Sequence, residues 1–205
     1  MVAKSRWIRS ISRSAKSPEC GSPQELESSS PFDASQVCLR CPHICCRHAK
    51  PPLTRRRQRL LEAYVAQQHL EIDDLFARTR YTYPRETRGG LCVFYDVETR
   101  RCRVHPVKPE TCVAGPITFD MDVRSGTVEW YLKNDEVCPL AQRLRVDDAA
   151  LDHHLQSAKR QLLTLIQTLD ETELAAILSI EEEDTTKLSE DTFTLIRVGT
   201  RRYLW

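Results

Sequence analysis

Along residues 1 to 36 apolar positions are sparse among Ser, Pro and charged residues, so this stretch is expected to be a disordered tail. A regular pattern begins near Val37. Beyond Pro51-Pro52, Thr54 can cap a helix running to about His69, with Leu60, Leu61, Tyr64 and Val65 as its apolar stripe. Ile72, Leu75 and Phe76 recur at helical spacing and predict a second short helix over Glu71 to Thr79. After Gly89-Gly90 the period shortens. LCVFYD and RCRVH flank a polar turn as a hairpin, which puts Cys92 and Cys102 on neighbouring strands. ITFDMDV, the turn Arg124-Ser125-Gly126 and TVEWYLK form a second hairpin, alternating as a sheet with one wet face does. From Leu140 to Leu169, Leu151, Leu155, Leu162, Leu163 and Ile166 predict one long helix. DETELAAILSI reads as another helix, capped by Asp170 with Glu173 at its third position. TFTLIRVGTRRYLW reads as a strand or ordered tail. The expected fold is therefore α+β: a small cysteine-rich module with two β-hairpins and helices over residues 37–140, and a helical C-terminal extension over 141–205.

The cysteines change this picture from a fold to a chemistry. Four fall within nine residues, at Cys38, Cys41, Cys45 and Cys46, and Cys92, Cys102, Cys112 and Cys138 follow singly. Thiolates are soft, charged donors, and a C-x-x-C loop brings two sulfurs to one ion without long-range folding, which suits both zinc and iron–sulfur centres. Cys45 and Cys46 are adjacent, and in most backbone conformations adjacent side chains diverge. One of the pair is then free for a second metal, another wall of a cluster, or the core. Cys20 is isolated in the tail and reads as a bystander. His43, His48 and His105 could replace a sulfur, but none stands out as a ligand.

Composition bounds the setting. With 205 residues and 40% apolar content the chain can bury a substantial core. It has no run of 18 apolar residues for a membrane span, and its Arg- and Ser-rich first 17 residues lack the apolar stretch of a secretory signal. A reducing cytoplasmic setting is expected, where nine cysteines are better explained by metal than by disulfides. The net charge of +1 conceals an asymmetry: residues 38–112 hold 15 Lys/Arg against 8 Asp/Glu, and residues 113–205 hold 10 against 17. Arg40, Arg47, Arg100, Arg101 and Arg103 lie beside cysteines in sequence and could balance a tetrathiolate site. Arg55, Arg56, Arg57 and Arg59 form the densest basic element, the place where a nucleic acid or other polyanion would bind. The acidic half could cover the basic module or meet a protein partner.

CLRCPHICC, GLCVFYD and the stretch from Cys102 to Cys112 resemble the YkgJ-type cysteine-cluster proteins, a zinc- or iron-chelating family. Cys38, Cys41, Cys45, Cys46, Cys92, Cys102, Cys112 and Cys138 occupy its eight cysteine positions, over about residues 37 to 140. Three positions depart from its pattern. Three residues rather than two separate Cys41 from Cys45, Lys108 stands in place of an arginine, and Val113 occupies an often basic position. Lysine lacks the planar fork of arginine, so a role that needs that fork does not carry over. The resemblance implies metal coordination by those cysteines, with zinc and iron, including a 4Fe-4S cluster, both compatible. Two further readings stand beside it: a redox or metal-dependent enzyme using the cluster, and a zinc-stabilised interaction module with a basic nucleic-acid-binding face.

Overall fold

The computed structural model describes residues 37, 38, 40, 41, 44–180, 182, 184–193, 197, 198, 201 and 202. The expected tail over 1–36 and His43 lie outside the described residues, as does most of the final segment.

Helix α1 (Arg55–Gln67) begins where the sequence places its cap: Thr54 Oγ1 accepts from Arg57 N at 3.1 Å. Leu61 and Val65 are its buried face, packed with Leu53, Phe94, Val104 and Cys92. The predicted helix over 71–79 is not formed. Ile72, Leu75 and Phe76 do pack on this cluster, but Asp74 takes a left-handed backbone (φ 50°), and the next residues are strand β1 (Phe76–Arg78). β1 pairs antiparallel with β2 (Thr82–Pro84), Phe76 opposite Pro84. The aromatic, β-forming residues Tyr81 and Tyr83 next door supply a sheet partner, and pairing outweighs local helical spacing. The cysteine hairpin is present but short, β3 (Tyr95–Asp96) against β4 (Arg101–Cys102). Asp96 Oδ1 accepts from the amides of Glu98 and Thr99 and turns the chain. Cys92 stands just outside β3, bridged to Glu86 instead.

A 3-10 turn (His105–Val107) leads to the short helix α2 (Glu110–Ala114). The second predicted hairpin follows as β5 (Ile117–Asp122) and β6 (Thr127–Lys133). Gly126 closes its turn at φ 68°. Val128, Trp130 and Leu132 point inward from β6. The long helix expected over 140–169 is two, α3 (Pro139–Arg145) and α4 (Asp148–Thr168). Asp147 breaks them apart: its backbone is extended and its side chain accepts from Ala150 N at 2.9 Å, capping α4. Helix α5 (Glu171–Leu178) carries the expected capping box of Asp170 and Glu173. β7 (Thr185–Thr192) then returns to pair with β6, giving a three-stranded sheet ordered β5-β6-β7. Its sequence, TTKLSEDT, has one apolar residue and no pattern that announces a strand. β8 (Arg197–Val198) and β9 (Arg201–Arg202) form a small hairpin. The larger core lies between this sheet and α3 to α5, with Trp130, Leu144, Leu162, Leu165 and Ile166 essentially removed from water.

Candidate metal centre

The eight predicted cysteines come from six places in the chain, and backbone hydrogen bonds link some of those places. Cys41 N donates to Cys38 O at 3.2 Å, closing the C-x-x-C loop, and Arg100 Nη2 pins Cys41 O at 2.7 Å. Cys45 and Cys46 occupy a turn that Arg47 N closes on Ile44 O. Cys92 N donates to Cys46 O at 2.8 Å, and Tyr95 N to Cys92 O at 2.9 Å. Tyr95 is in register with Cys102, so a turn and a strand pair connect Cys92, and through it Cys46, to Cys102. Cys112 sits midway along α2, and Cys138 precedes α3, its carbonyl accepting from Ala141 N.

These thiols share one electrostatic neighbourhood. Cys45, Cys92 and Cys102 act on both Cys46 and Cys112. Cys38, Cys41 and Cys138 form a second group, and Cys45 acts on both. Cys45 and Cys46 do not act independently: each is the strongest influence on the other's thiol. The first thiolate forms easily, because the neighbouring thiol donates to it and Lys108 and Lys133 face it. Cys45 is accordingly held to about 6. The same hydrogen bond, then burial, pushes Cys46 up. Burial pushes Cys92 up to about 11 and also raises Cys38, Cys102, Cys112 and Cys138.

The fit to a metal rests on this donor set. Adjacent thiolates repel, and burial disfavours their charge, whereas a divalent cation among them would reverse both effects. Cys45 and Cys112 are exposed, so a ligand from solvent can reach this part of the set. Among the described residues the eight cysteines are free thiols, and no three His, Cys, Asp or Glu side chains converge as a ready cage. The sulfurs are neighbours rather than a preformed tetrahedron.

The arginines beside the cysteines in sequence mostly hold backbone. Arg47 donates to Gly89 O, Arg100 to Cys41 O and Arg103 to Val93 O. Lys108 is the cation shared by Cys38, Cys45, Cys102 and Cys112, favouring the charged form of each, with Lys133 adding to it at Cys45 and Arg103 at Cys102. Its position in the chain, four residues before Cys112, carries no signal of this. His48 is exposed and lies 3.5 Å from Glu86, while His105 sits exposed on the 3-10 turn. Arg57 is withdrawn from the basic face of α1. It pairs at 3.3 Å with buried Glu110, leaving Arg55, Arg56 and Arg59 exposed. Among the described residues no helix is long and apolar enough to cross a membrane.

Comparison with known proteins identifies the segment that carries these cysteines. A family model described as "CxxCxxCC: Putative zinc- or iron-chelating domain" matches residues 37–139. The uncharacterised protein MJ0661 of Methanocaldococcus jannaschii is 26% identical over 103 residues, covering 47% of this chain and 54% of that protein. The chain thus spans about half the length of the curated relative it matches. No solved structure matches. With residues 37–139 matched, half of its length, the chain belongs to the CxxCxxCC, YkgJ-type cysteine-cluster family.

Proposed function

We propose that this chain is a metal-binding protein whose clustered cysteines coordinate zinc or iron, the iron as a four-cysteine sulfur cluster. The observation that carries the proposal is the set of eight free thiols, of which Cys46, Cys92 and Cys102 are linked through the backbone and Cys38, Cys45, Cys102 and Cys112 share the charge of Lys108. We assign Cys45, Cys46, Cys92, Cys102 and Cys112 to one group of ligands and Cys38, Cys41 and Cys138 to another, with Cys45 able to serve either. A bound metal would supply a positive charge that ionises these thiols and ties the loop, the hairpin and α2 together. Lys108 would offset the residual negative charge of a tetrathiolate shell. We place the metal-binding module in residues 37–140, with 141–205 as its helical extension. A reducing cytoplasmic setting suits thiols that are not paired as disulfides.

The experiment is elemental analysis with an ultraviolet–visible spectrum on full-length protein purified without oxygen. Iron with sulfide and broad visible absorption identifies a cluster, and colourless protein with zinc identifies a thiolate site. Replacing Cys41 or Cys102 by Ser should lower bound metal, and unchanged metal in both variants would defeat the assignment. A redox or metal-dependent catalytic role is the second reading, favoured by the solvent access of Cys45 and Cys112. It requires that a small ligand reach the metal. A visible spectrum unmoved by any small anionic or thiol ligand would count against it.

A further inference from the structure

We infer that α4, which lies beyond the family-matched segment, is a working part of the cysteine centre: His154 and Gln161 are positioning residues that secure both ends of the Cys112 helix. The inference rests on Cys112 being a metal ligand, as proposed above.

A helix of five residues cannot support itself, because nucleation costs more than so few hydrogen bonds return. α2 also has no side-chain cap at Pro109. Its ends are held from outside instead. At the first residue, Glu110 is 3% exposed; it accepts from Thr54 Oγ1 at 2.9 Å and pairs with Arg57 Nε at 3.3 Å. Arg57 is in turn fixed by its Nη2 donating to Gln161 Oε1 at 2.9 Å. At the other end, His154 Nε2 lies 3.1 Å from both Ala114 O and Gly115 O. Carbonyl oxygens only accept, so Nε2 carries the proton and shares it between carbonyls that a helix end leaves without an intrahelical donor.

His154 and Gln161 are seven residues apart on α4, two turns and about 10.5 Å along one face. α2 is about 7.5 Å long. The spacing lets one rigid helix brace both ends of the shorter one. A histidine at a helix end is ordinary structure by itself. Here the braced helix presents Cys112 two residues from Glu110 and two from Ala114, so whatever fixes the ends fixes the sulfur.

The test uses the full chain with H154A, H154Q, Q161A and C112S. Maleimide labelling at each cysteine is followed by peptide mass in metal-free, reduced protein, and zinc and iron are measured after anaerobic purification. H154A should speed labelling of Cys112 about tenfold relative to Cys38, and weaken metal retention by roughly tenfold to a hundredfold, as loss of a group orienting a ligand does. H154Q keeps an N–H donor and should restore most of both. Equal acceleration at Cys38 and Cys112 would mean general loosening and would overturn the inference, as would labelling unchanged from wild type. If H154A does not fold, Q161A reads the same selective labelling through Arg57. Metal loss in C112S with none in H154A defeats the positioning role alone. Full metal in C112S defeats the ligand assignment, and the inference with it.

Discussion

The sharpest stability prediction concerns the pair beneath α2. Arg57 and Glu110 have side chains 14% and 4% exposed, with Nε and Oε1 3.3 Å apart. At an effective dielectric of 20 the attraction is about 5 kcal/mol, and much of it offsets the cost of taking both charges out of water. Glu110 Oε2 has no hydrogen-bond partner even in the intact pair. Arg57→Met keeps most of the aliphatic stem but strands the carboxylate with only the Thr54 hydroxyl, and it also removes the contacts to Val107 O and Gln161. Breaking a buried pair from one side costs about 3–5 kcal/mol, a large share of the ~5–15 kcal/mol of an ordinary domain. Adding Glu110→Met removes the stranded charge, so the double variant should be more stable than Arg57→Met alone. Urea unfolding of the reduced chain, followed by circular dichroism, reads both. An Arg57→Met cost under about 1 kcal/mol, or a double variant as unstable as the sum of the singles, would refute a buried, interacting pair.

Three further outcomes follow from local geometry. Asp170→Ala removes the capping box of α5 and should cost about 1 kcal/mol in the same urea assay. Gly90→Ala forces φ 73° on an L-residue and drives its Cβ into the His48 ring, so a loss of at least about 1–2 kcal/mol is expected; a neutral result would refute both the left-handed backbone at this position and the close approach of the ring. Asp191 accepts from Trp130 Nε1 and Lys159 Nζ, each at 2.7 Å, and Lys159 is the main influence holding its carboxyl below the usual range. A lowered folded-state pKa contributes stability above the unfolded value of about 3.9 and loses it as pH falls through the folded one. Asp191→Asn should therefore be less stable than wild type near neutrality, the gap closing below about pH 4. A gap independent of pH would assign the effect to packing instead.

What the chain discloses in one dimension is its local physics. Thr54, Asp170 and Glu173 act where capping chemistry puts them, and the alternation of TVEWYLK survives as β6 because both flanking strands and the core reward it. Where tertiary pairing competes, the local signal loses. Residues 76–78 give up a helical spacing for a sheet partner, and Asp147 divides an apolar period that runs on without interruption. β7 was hidden for the same reason. Thr, Ser, Lys and Glu in TTKLSEDT become a strand because β6 offers an unpaired edge, with Lys187 meeting Glu129 across it.

The candidate site divides along the same line. Its donors were legible, since eight cysteines at such spacings have few other uses. Their supports were not, because each acts across a long sequence interval: Lys108 on Cys38, Arg57 on Glu110, His154 on the end of α2. Sequence proximity pointed to the neighbouring arginines as the charges facing sulfur; Arg47, Arg100 and Arg103 hold carbonyls, and of these three Arg103 also favours the charged form of Cys102. A guanidinium with five donors closes loops well, whereas a lysine brings a compact charge. The arginines thus brace the backbone that carries the cysteines, and Lys108 supplies a charge shared by four of them. On this division of labour, replacing Arg100 disturbs the placement of the C-x-x-C loop, while replacing Lys108 leaves the loop in place and makes the thiolates harder to form.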